Sequence, residues 1–512
     1  MSLTKQKKKF FIYLIIYFFL FLFLILPLWL NKKFGSLYLE QFIFNLKLIY
    51  YGYLDGDSNL VNSAIKWLLI IPLIFSIILI LIINFIHFII ENEDNSIEIL
   101  IEKLKKIKKN FRNYNLFLAF RFFGTYFIKY LIFILIVLII IFFYLFTNFF
   151  KEPDTVKNLD FFDQNYEYPV VSQNEDKYNL VVVYVESLEE TFSNTKIFGE
   201  NLLKDISNKN NSKKVKYFYQ IPGTGYTLSS LVSSQCGIPL LQYKDSFSDI
   251  INLRGINKLL PNLTCLSDLL YQNSYENIFI SSDNLSNSLT DKFLLSHHYT
   301  KLLGLNELKE LGYQTSKKAY HYKKNWTGGI HDNILFEASL DILKEQKNKK
   351  NNFFLTIMTL DTHAPAGYPN VECLKKTIKD RNLNNFTISD SVKCTSKYLN
   401  EFINNLNKLD LENTFLVIVG DHLLMQDLNS NDRYIYNNFF VKDELKIMRD
   451  YMNHYDLFPS LLEAMNFRIH NRHGKVGLGY SIFVDNPDYK KISFLMKGSS
   501  KLYDKFWGLN ED

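Results

Sequence analysis

One threonine and a handful of acids and histidines in this chain have types and spacings that can do chemistry. In Gly223-Thr224-Gly225-Tyr226-Thr227-Leu228-Ser229-Ser230, a Gly-rich turn delivers the Thr227 hydroxyl to the start of a predicted short helix. The first N–H groups of a helix have no intrahelical partner and the dipole is positive there, so an anionic phosphoester would be held beside that hydroxyl. Taken alone, a threonine in this place is also a plain N-cap. Glu186 follows the apolar run 179–185, Asp361-Thr362-His363 follows 353–360, and Asp421-His422 follows 414–420. Glu186, Thr227, Asp421 and His422 together offer three oxygens and one imidazole, a ligand set that suits one divalent ion, Mn²⁺, Zn²⁺ or Mg²⁺. Singly, each reads equally as a surface acid or a helix cap; jointly, at the ends of apolar runs, they predict a metal site.

Those runs are what must position the side chains. Each is continuous and rich in Val, Ile, Leu and Phe, the pattern of a parallel strand buried on both faces. Residues just past the carboxyl ends of parallel strands share one edge of the sheet, where open α/β folds build their sites. Residues 277–280 read as a further strand and 331–346 as a helix leading to the strand before His363. The stretch His454-Tyr455-Asp456-Leu457-Phe458-Pro459 reads as a helix entered through proline, with His454 placed to complete the site on the substrate side. The fold class is α/β.

The nucleophile segment, its continuation Ser233-Ser234-Gln235-Cys236-Gly237-Ile238-Pro239, the Asp361-Thr362-His363-Ala364-Pro365 run and Gly420-Asp421-His422 together resemble the sulfatase and alkaline-phosphatase superfamily. Within it they are similar to the phosphoglycerol transferase branch, which includes membrane enzymes that decorate periplasmic glucans and the lipoteichoic acid synthases. The resemblance covers roughly residues 176–485. It implies a three-layer α/β/α alkaline-phosphatase-like domain outside the cytoplasm, Thr227 as the nucleophile, and Glu186, Thr227, Asp421 and His422 as ligands of one divalent metal, with Mn²⁺ the expected ion. It further implies that His363 contacts the phosphoryl oxygen or the departing alcohol, the alternative being a satisfied loop histidine. Metal coordination favours the alkoxide of an otherwise weak alcohol nucleophile and offsets charge on the transferring phosphoryl group. No Cys-x-Pro-x-Arg motif, the source of the formylglycine of true sulfatases, occurs in the chain.

The chain departs from the lipoteichoic acid synthases where those grip glycerol phosphate with a Trp-x-Arg. The corresponding region, 281–292, has neither residue, although Asp283 and Lys292 are available for substrate. Trp326 with Asp332 resembles the family's aromatic-Gly-x-x-Asp segment, interrupted by Thr327-Gly328, so Trp326 reads as a substrate contact or a packing residue.

Three nearly unbroken apolar stretches, 10–30, 67–90 and 130–147, are each close to the ~20 residues a helix needs to cross the hydrocarbon core. Residues 1–150 therefore read as a membrane anchor, 151–177 as a polar linker and 178–512 as the catalytic domain. The first stretch is longer than the core of a signal peptide and no small-residue cleavage site follows. Lys5, Lys7, Lys8 and Lys9 precede it, and Lys103, Lys105, Lys106, Lys108, Lys109 and Arg112 lie between the second and third. The positive-inside rule puts both groups in the cytoplasm and everything after about residue 150 outside. The first 150 residues hold 16 Lys and Arg against 8 Asp and Glu, and the remainder 42 against 44. The basic excess is thus a topology signal, and nucleic-acid binding is discounted because no basic patch with interleaved aromatics stands out.

All four cysteines, Cys236, Cys265, Cys373 and Cys394, fall in the part expected outside. An even number in an oxidising compartment predicts two disulfides with three pairings open. Pairing of neighbours, Cys236 with Cys265 and Cys373 with Cys394, is preferred because each closes a polar loop. The expected function is a membrane-anchored transferase moving a phospho-alcohol head group from a phospholipid donor such as phosphatidylglycerol to an envelope glycan. A phosphoethanolamine transferase acting on lipid A or a glycan, and an inactive glycan-binding scaffold, are the alternatives.

Overall fold

The computed structural model describes residues 3–34, 63–91, 144, 155–156, 160–240, 257–313, 329–378, 386–485, 495–496 and 501–508, apart from positions 208, 210, 211, 222, 287, 288, 365, 427, 429 and 431. The chain divides into two compact units. In the N-terminal unit, helices α1 (Leu3–Phe34) and α2 (Ile71–Glu91), the latter preceded by a π-helical segment Ile65–Ile70, pack on each other. Phe21 and Phe75 meet with ring centroids 5.5 Å apart, and the Trp29 indole N–H donates to Ser63 Oγ at 2.9 Å. Phe10–Trp29 and Ile65–Asn84 are each long and apolar enough to cross a membrane. Phe11, Ile15, Ile16 and Leu81 on these helices turn outward and are exposed, which suits hydrocarbon rather than water. The expected third span, 130–147, lies outside the described residues except for Tyr144.

The second unit is built on a six-stranded sheet. Its strands are β1 (Asn179–Val185), β2 (Glu276–Ser281), β3 (Lys301–Leu303), β4 (Phe353–Met358), β5 (Thr414–Gly420) and β6 (Asn437–Phe440), in spatial order β3-β2-β4-β1-β5-β6. All neighbours are parallel except the edge strand β6, which runs antiparallel to β5. Successive side chains of a strand point to opposite faces, and both faces are covered here. Leu180, Val182, Tyr184, Phe354, Val417 and Val419 enter one core, whereas Val181, Val183, Val185, Leu355, Ile357, Leu416 and Ile418 enter the other. Double-sided burial is why the strands read as unbroken apolar runs instead of alternating ones.

On the first face lie α4 (Thr227–Cys236), α5 (Leu266–Gln272) and α9 (Leu457–Ala464); α6 (Asp332–Lys349) and α8 (Ile388–Leu409) cover the second, and α7 (Val371–Ile378) packs on α8. This is the three-layer α/β/α arrangement expected from the sequence.

The segment 151–177 is more than a linker. Helix α3 (Asp160–Asn165) buries Phe162 in the same core as Tyr503 and Phe506 near the chain's end, with ring centroids 5.5 and 6.1 Å away. Val171–Gln173 then pairs antiparallel with Phe467–Ile469. The domain therefore begins before residue 178, because its first apolar anchors find partners some 300 residues on, a pairing that local periodicity does not reveal.

Both expected disulfides are present, Cys236 to Cys265 and Cys373 to Cys394. The first ties the C-terminal end of α4 to the N-cap of α5, and the second joins α7 to α8. They close loops of 29 and 21 residues, for which constraint of the unfolded chain corresponds to about 3–4 kcal/mol each. Replacing Cys373 and Cys394 together by Ser should lower unfolding stability by roughly that amount in a urea titration. An unchanged midpoint would show that the bridge contributes nothing to folding.

Candidate active site

The four residues expected to meet do so at the carboxyl edge of β1 and β5. Glu186 follows β1 directly and Asp421-His422 follow β5. Gly420 is required between them: a Cβ there would lie 1.9 Å from the carbonyl oxygen of Leu188 in the turn after β1. Thr227 is the first residue of α4, reached through a turn in which Gly223 adopts a left-handed φ of +85° that glycine enters at no steric cost. The N-cap residue is Tyr226, which makes no side-chain cap bond; Ser229 Oγ donates to Tyr226 O at 2.7 Å and accepts the Tyr226 amide at 3.4 Å, so Thr227 takes no part in this turn's side-chain bonds. That leaves the Thr227 side chain for the site, where its hydroxyl donates to Glu186 Oε2 at 3.3 Å.

The serines behind Thr227 account for the small-residue character of the motif. Ser230 and Ser234 are fully buried, and their hydroxyls bond Asp421 O at 2.6 Å and Tyr184 OH at 2.8 Å, so α4 lies close over the strand ends.

Glu186, Asp421 and His422 are buried, and one ligand atom from each lies within 4.8 Å of the others. His422 Nε2 stands 3.5 Å from Glu186 Oε1 and 3.4 Å from Asp421 Oδ2. Its Nδ1 faces Leu423 O at 2.9 Å; donation there fixes the ring with Nε2 toward the two carboxylates. Asp421 Oδ1 accepts the amides of Ser187 and His422, both at 2.8 Å. Ser187 holds a left-handed φ of +52° to deliver that bond, while its hydroxyl donates to Glu186 Oε1 at 2.7 Å. Backbone strain at a non-glycine residue is retained where the surroundings over-determine it.

Asp421 Oδ2, by contrast, is buried and has no hydrogen-bond partner among the described residues. An orphaned carboxylate oxygen is costly unless something cationic meets it. Burial, and then the neighbouring Glu186 carboxylate, push the Asp421 carboxyl up to about 7. Burial also pushes Glu186 up, but the charges of His422 and His363 and the bonds from Ser187 and Thr227 outweigh it and hold that carboxyl below its usual range. Burial lowers His422, yet Asp421 and Glu186 overcome it and leave the imidazole net raised. Two carboxylates and an imidazole nitrogen converging on one point, with one oxygen lacking a hydrogen bond among the described residues, fit a divalent cation, which would take the place of the Nε2 proton.

The other candidates fall around this centre. His363 is exposed one strand away, beyond β4, with Nδ1 2.8 Å from Ala364 O and its ring against Tyr368; its charge reaches Glu186. Asp283 lies just past β2 on the same edge, where Oδ1 accepts the Asn284 amide, and Lys292 pairs with Asp291 at 3.4 Å. Trp326 lies outside the described residues.

His454 corrects an expectation. It is 1% exposed and lies beneath the site, with Nε2 2.7 Å from Asp421 O, and burial lowers its pKa to about 4. A neutral imidazole donating to a ligand's backbone carbonyl supports the loop; it does not face substrate. Local sequence gave no sign of this, because the bond joins residues 33 positions apart.

Sequence reasoning also passed over supports of the His363 loop. Thr362 Oγ1 donates to Glu186 O, Thr359 Oγ1 accepts the Glu186 amide at 3.1 Å, and Asp361 is held by His331 at 3.0 Å and by the Asp332 amide at 3.1 Å. The predicted strand 353–360 ends at Met358 for this reason, since Thr359 has turned toward Glu186.

Residues 178–467, well over half of the chain, match the sulfatase family. The chain belongs to the sulfatase family. Its parallel-dominated sheet sandwiched by helices is the alkaline-phosphatase-like fold of that superfamily. Among curated relatives it is 30% identical over 333 residues to phosphoglycerol transferase I of Citrobacter koseri, a match covering 62% of this chain and 41% of that protein. Against phosphoglycerol transferase I of Escherichia fergusonii it is 30% identical over 315 residues, covering 59% and 39%. The chain thus spans about two fifths of the length of these relatives. Among solved structures, the lipoteichoic acid synthase LtaP of Listeria monocytogenes superposes with a TM-score of 0.46 at 17% identity, covering 64% of this chain and 81% of that one.

Proposed function

We propose that this sulfatase-family protein is a membrane-anchored, metal-dependent phosphoglycerol transferase. It moves a phospho-alcohol head group from a phosphatidylglycerol-like donor to an envelope glycan through a phosphothreonine at Thr227. The observation that carries the reading is the convergence of the Thr227 hydroxyl with Glu186, Asp421 and His422 at the carboxyl edge of β1 and β5. The resemblance to phosphoglycerol transferase I supports the transferred group, and the two apolar N-terminal helices support an anchor that keeps the site near lipid. The distribution of lysines, with the third span expected at 130–147, supports a catalytic unit on the extracytoplasmic side.

A divalent ion bound by Glu186, Asp421, His422 and Thr227, with Mn²⁺ the expected ion, would favour the alkoxide and offset charge on the phosphoryl oxygens. Thr227 Oγ gives up its proton and attacks phosphorus, the bond to the diacylglycerol oxygen breaks, and that oxygen takes up a proton. An acceptor sugar hydroxyl then attacks the same phosphorus, loses its proton, and releases Thr227. The first-turn N–H groups of α4, which have no intrahelical partner, hold the phosphate during both displacements. His363, exposed beside Glu186, is placed to touch the phosphoryl oxygens or exchange the proton of the departing alcohol.

Diacylglycerol release from labelled phosphatidylglycerol and from phosphatidylethanolamine, assayed side by side with the full-length protein and Mn²⁺, tests this reading. Phosphatidylglycerol should be consumed, and His363→Ala should lower turnover by ~100-fold, the scale of a lost acid–base group. Consumption of phosphatidylethanolamine alone would replace the donor by an ethanolamine lipid, and turnover of neither would leave an inactive glycan-binding protein.

A further inference from the structure

Glu189, three residues past Glu186, is fully buried, and a buried carboxylate persists only when it is paired and hydrogen-bonded. Both of its oxygens are satisfied. Oε2 accepts Arg433 Nε at 2.8 Å and Thr191 Oγ1 at 2.6 Å, while Oε1 accepts Arg433 Nη2 and the Leu424 amide, the latter at 3.2 Å. Arg433 Nη2 also donates to Leu424 O at 2.6 Å. The ion pair therefore grips both peptide groups of Leu424, two residues beyond His422. Backbone bonds close the clasp around it: Glu190 N to Tyr434 O at 2.8 Å, Tyr436 N to Leu188 O at 3.1 Å and Gly420 N to Tyr436 O at 2.8 Å. The loop that leaves β5 with Asp421 and His422 returns at Arg433 and is latched to the turn that carries Glu186.

We propose that Glu189 and Arg433 are positioning residues of the metal centre, a buried carboxylate–guanidinium brace that holds the loop bearing Asp421 and His422 at ligand distance from Glu186. The proposal rests on the metal reading of that site. Before metal binds, the buried Glu186 and Asp421 carboxylates, gathered with His422 so that one ligand atom of each lies within 4.8 Å of the others, repel each other. The ligands alone would move apart, so their convergence has to be maintained from outside the ligand set. A latch that does this without metal removes the reorganisation otherwise charged against binding. The planar fork of arginine is what spans both carboxylate oxygens, and a lysine cannot reproduce two fixed bonds.

The test uses full-length protein in detergent, freed of metal by chelation. Mn²⁺ is titrated calorimetrically into wild type, Arg433→Lys and Glu189→Gln, with the melting temperature recorded in chelator. The brace predicts Mn²⁺ dissociation constants raised ~10–100-fold, the effect of losing a support behind metal ligands. It also predicts that diacylglycerol release recovers most of its wild-type turnover at saturating Mn²⁺. Because unpairing a buried charge can prevent folding, the double variant Glu189→Gln/Arg433→Met, which removes both charges, is measured beside them. A folded variant with wild-type Mn²⁺ affinity and only a lowered melting temperature would overturn the proposal, as would a turnover loss that saturating Mn²⁺ does not relieve. Failure of wild type itself to bind Mn²⁺, Zn²⁺ or Mg²⁺ strikes the metal reading, and the wild-type titration separates that result from failure of the brace alone.

Discussion

Thr227→Ala is expected to abolish diacylglycerol release while leaving the fold intact. The Thr227 hydroxyl bonds Glu186 Oε2 at 3.3 Å, and the side chain does not serve as the cap of α4, whose N-cap residue is Tyr226. Alanine therefore removes a hydroxyl without unpairing the helix end, and it is the better helix former. If that hydroxyl forms the phosphoester, no second group stands in its place, and turnover should fall by ~1,000-fold or more, the scale seen when a nucleophile is deleted. Thr227→Ser, which keeps the oxygen, should retain measurable turnover. Intact-mass analysis after incubation with phosphatidylglycerol should show a glycerophosphoryl adduct on wild type and none on Thr227→Ala. Thr227→Ala turnover within tenfold of wild type would assign the chemistry to a different nucleophile.

What the sequence made legible follows from burial. Strands β1, β4 and β5 are covered by helices on both faces, so they appear as uninterrupted apolar runs whose ends mark the sheet edge. Glu186 and Asp421-His422 were found because they stand immediately past those ends, and Thr227 because a Gly-rich turn and small residues announce a helix laid close to the sheet. The cysteine pairing was legible to the extent that only four cysteines exist: of three open pairings, the preferred one joined neighbours in the chain, each closing a polar loop, and both bridges form. Features built from distant residues left no local trace. Glu189 and Arg433 are 244 positions apart, and residues 171–173 find their partner strand only at 467–469. His454 misled for the same reason: its spacing from Pro459 marks a helix entrance, but whether the ring faces substrate or a buried carbonyl is decided by tertiary packing.

The charges at the centre explain why the same residues serve two ends. In the absence of metal, His422 Nε2 stands 3.5 Å from Glu186 and 3.4 Å from Asp421, all three buried, an arrangement that favours binding over stability. The cost falls on Asp421, whose second oxygen has no hydrogen-bond partner among the described residues. The supports found around it, Ser187 and Ser230 among them, engage the backbone or the first oxygen and leave the second one available.

Asp421→Asn should therefore separate metal binding from folding. The amide keeps an oxygen to accept the Ser187 and His422 N–H groups, now at 2.8 Å to Oδ1, and turns an NH₂ toward the point where Oδ2 converges with Glu186 and His422. A donor there cannot ligate a cation, so divalent-metal content measured by mass spectrometry should drop to background and turnover with it. In chelator the variant should be at least as stable as wild type at neutral pH, and the pH dependence gives the sign. An acid whose folded pKa, about 7 for Asp421, lies above its ordinary 3.8 holds its proton longer in the folded state. The folded protein then binds more protons between those two values, and metal-free wild type loses stability as pH rises through that window. Asparagine has no proton to lose and should lack that part of the fall, so the two urea midpoints should diverge between pH 5 and 7 in favour of the variant. Saturating Mn²⁺ should reverse the order, stabilising wild type by occupying its site and leaving Asp421→Asn unmoved. Equal metal content in both proteins, or parallel stability curves across that pH range, would show that Asp421 is neither the ligand nor the strained carboxylate described.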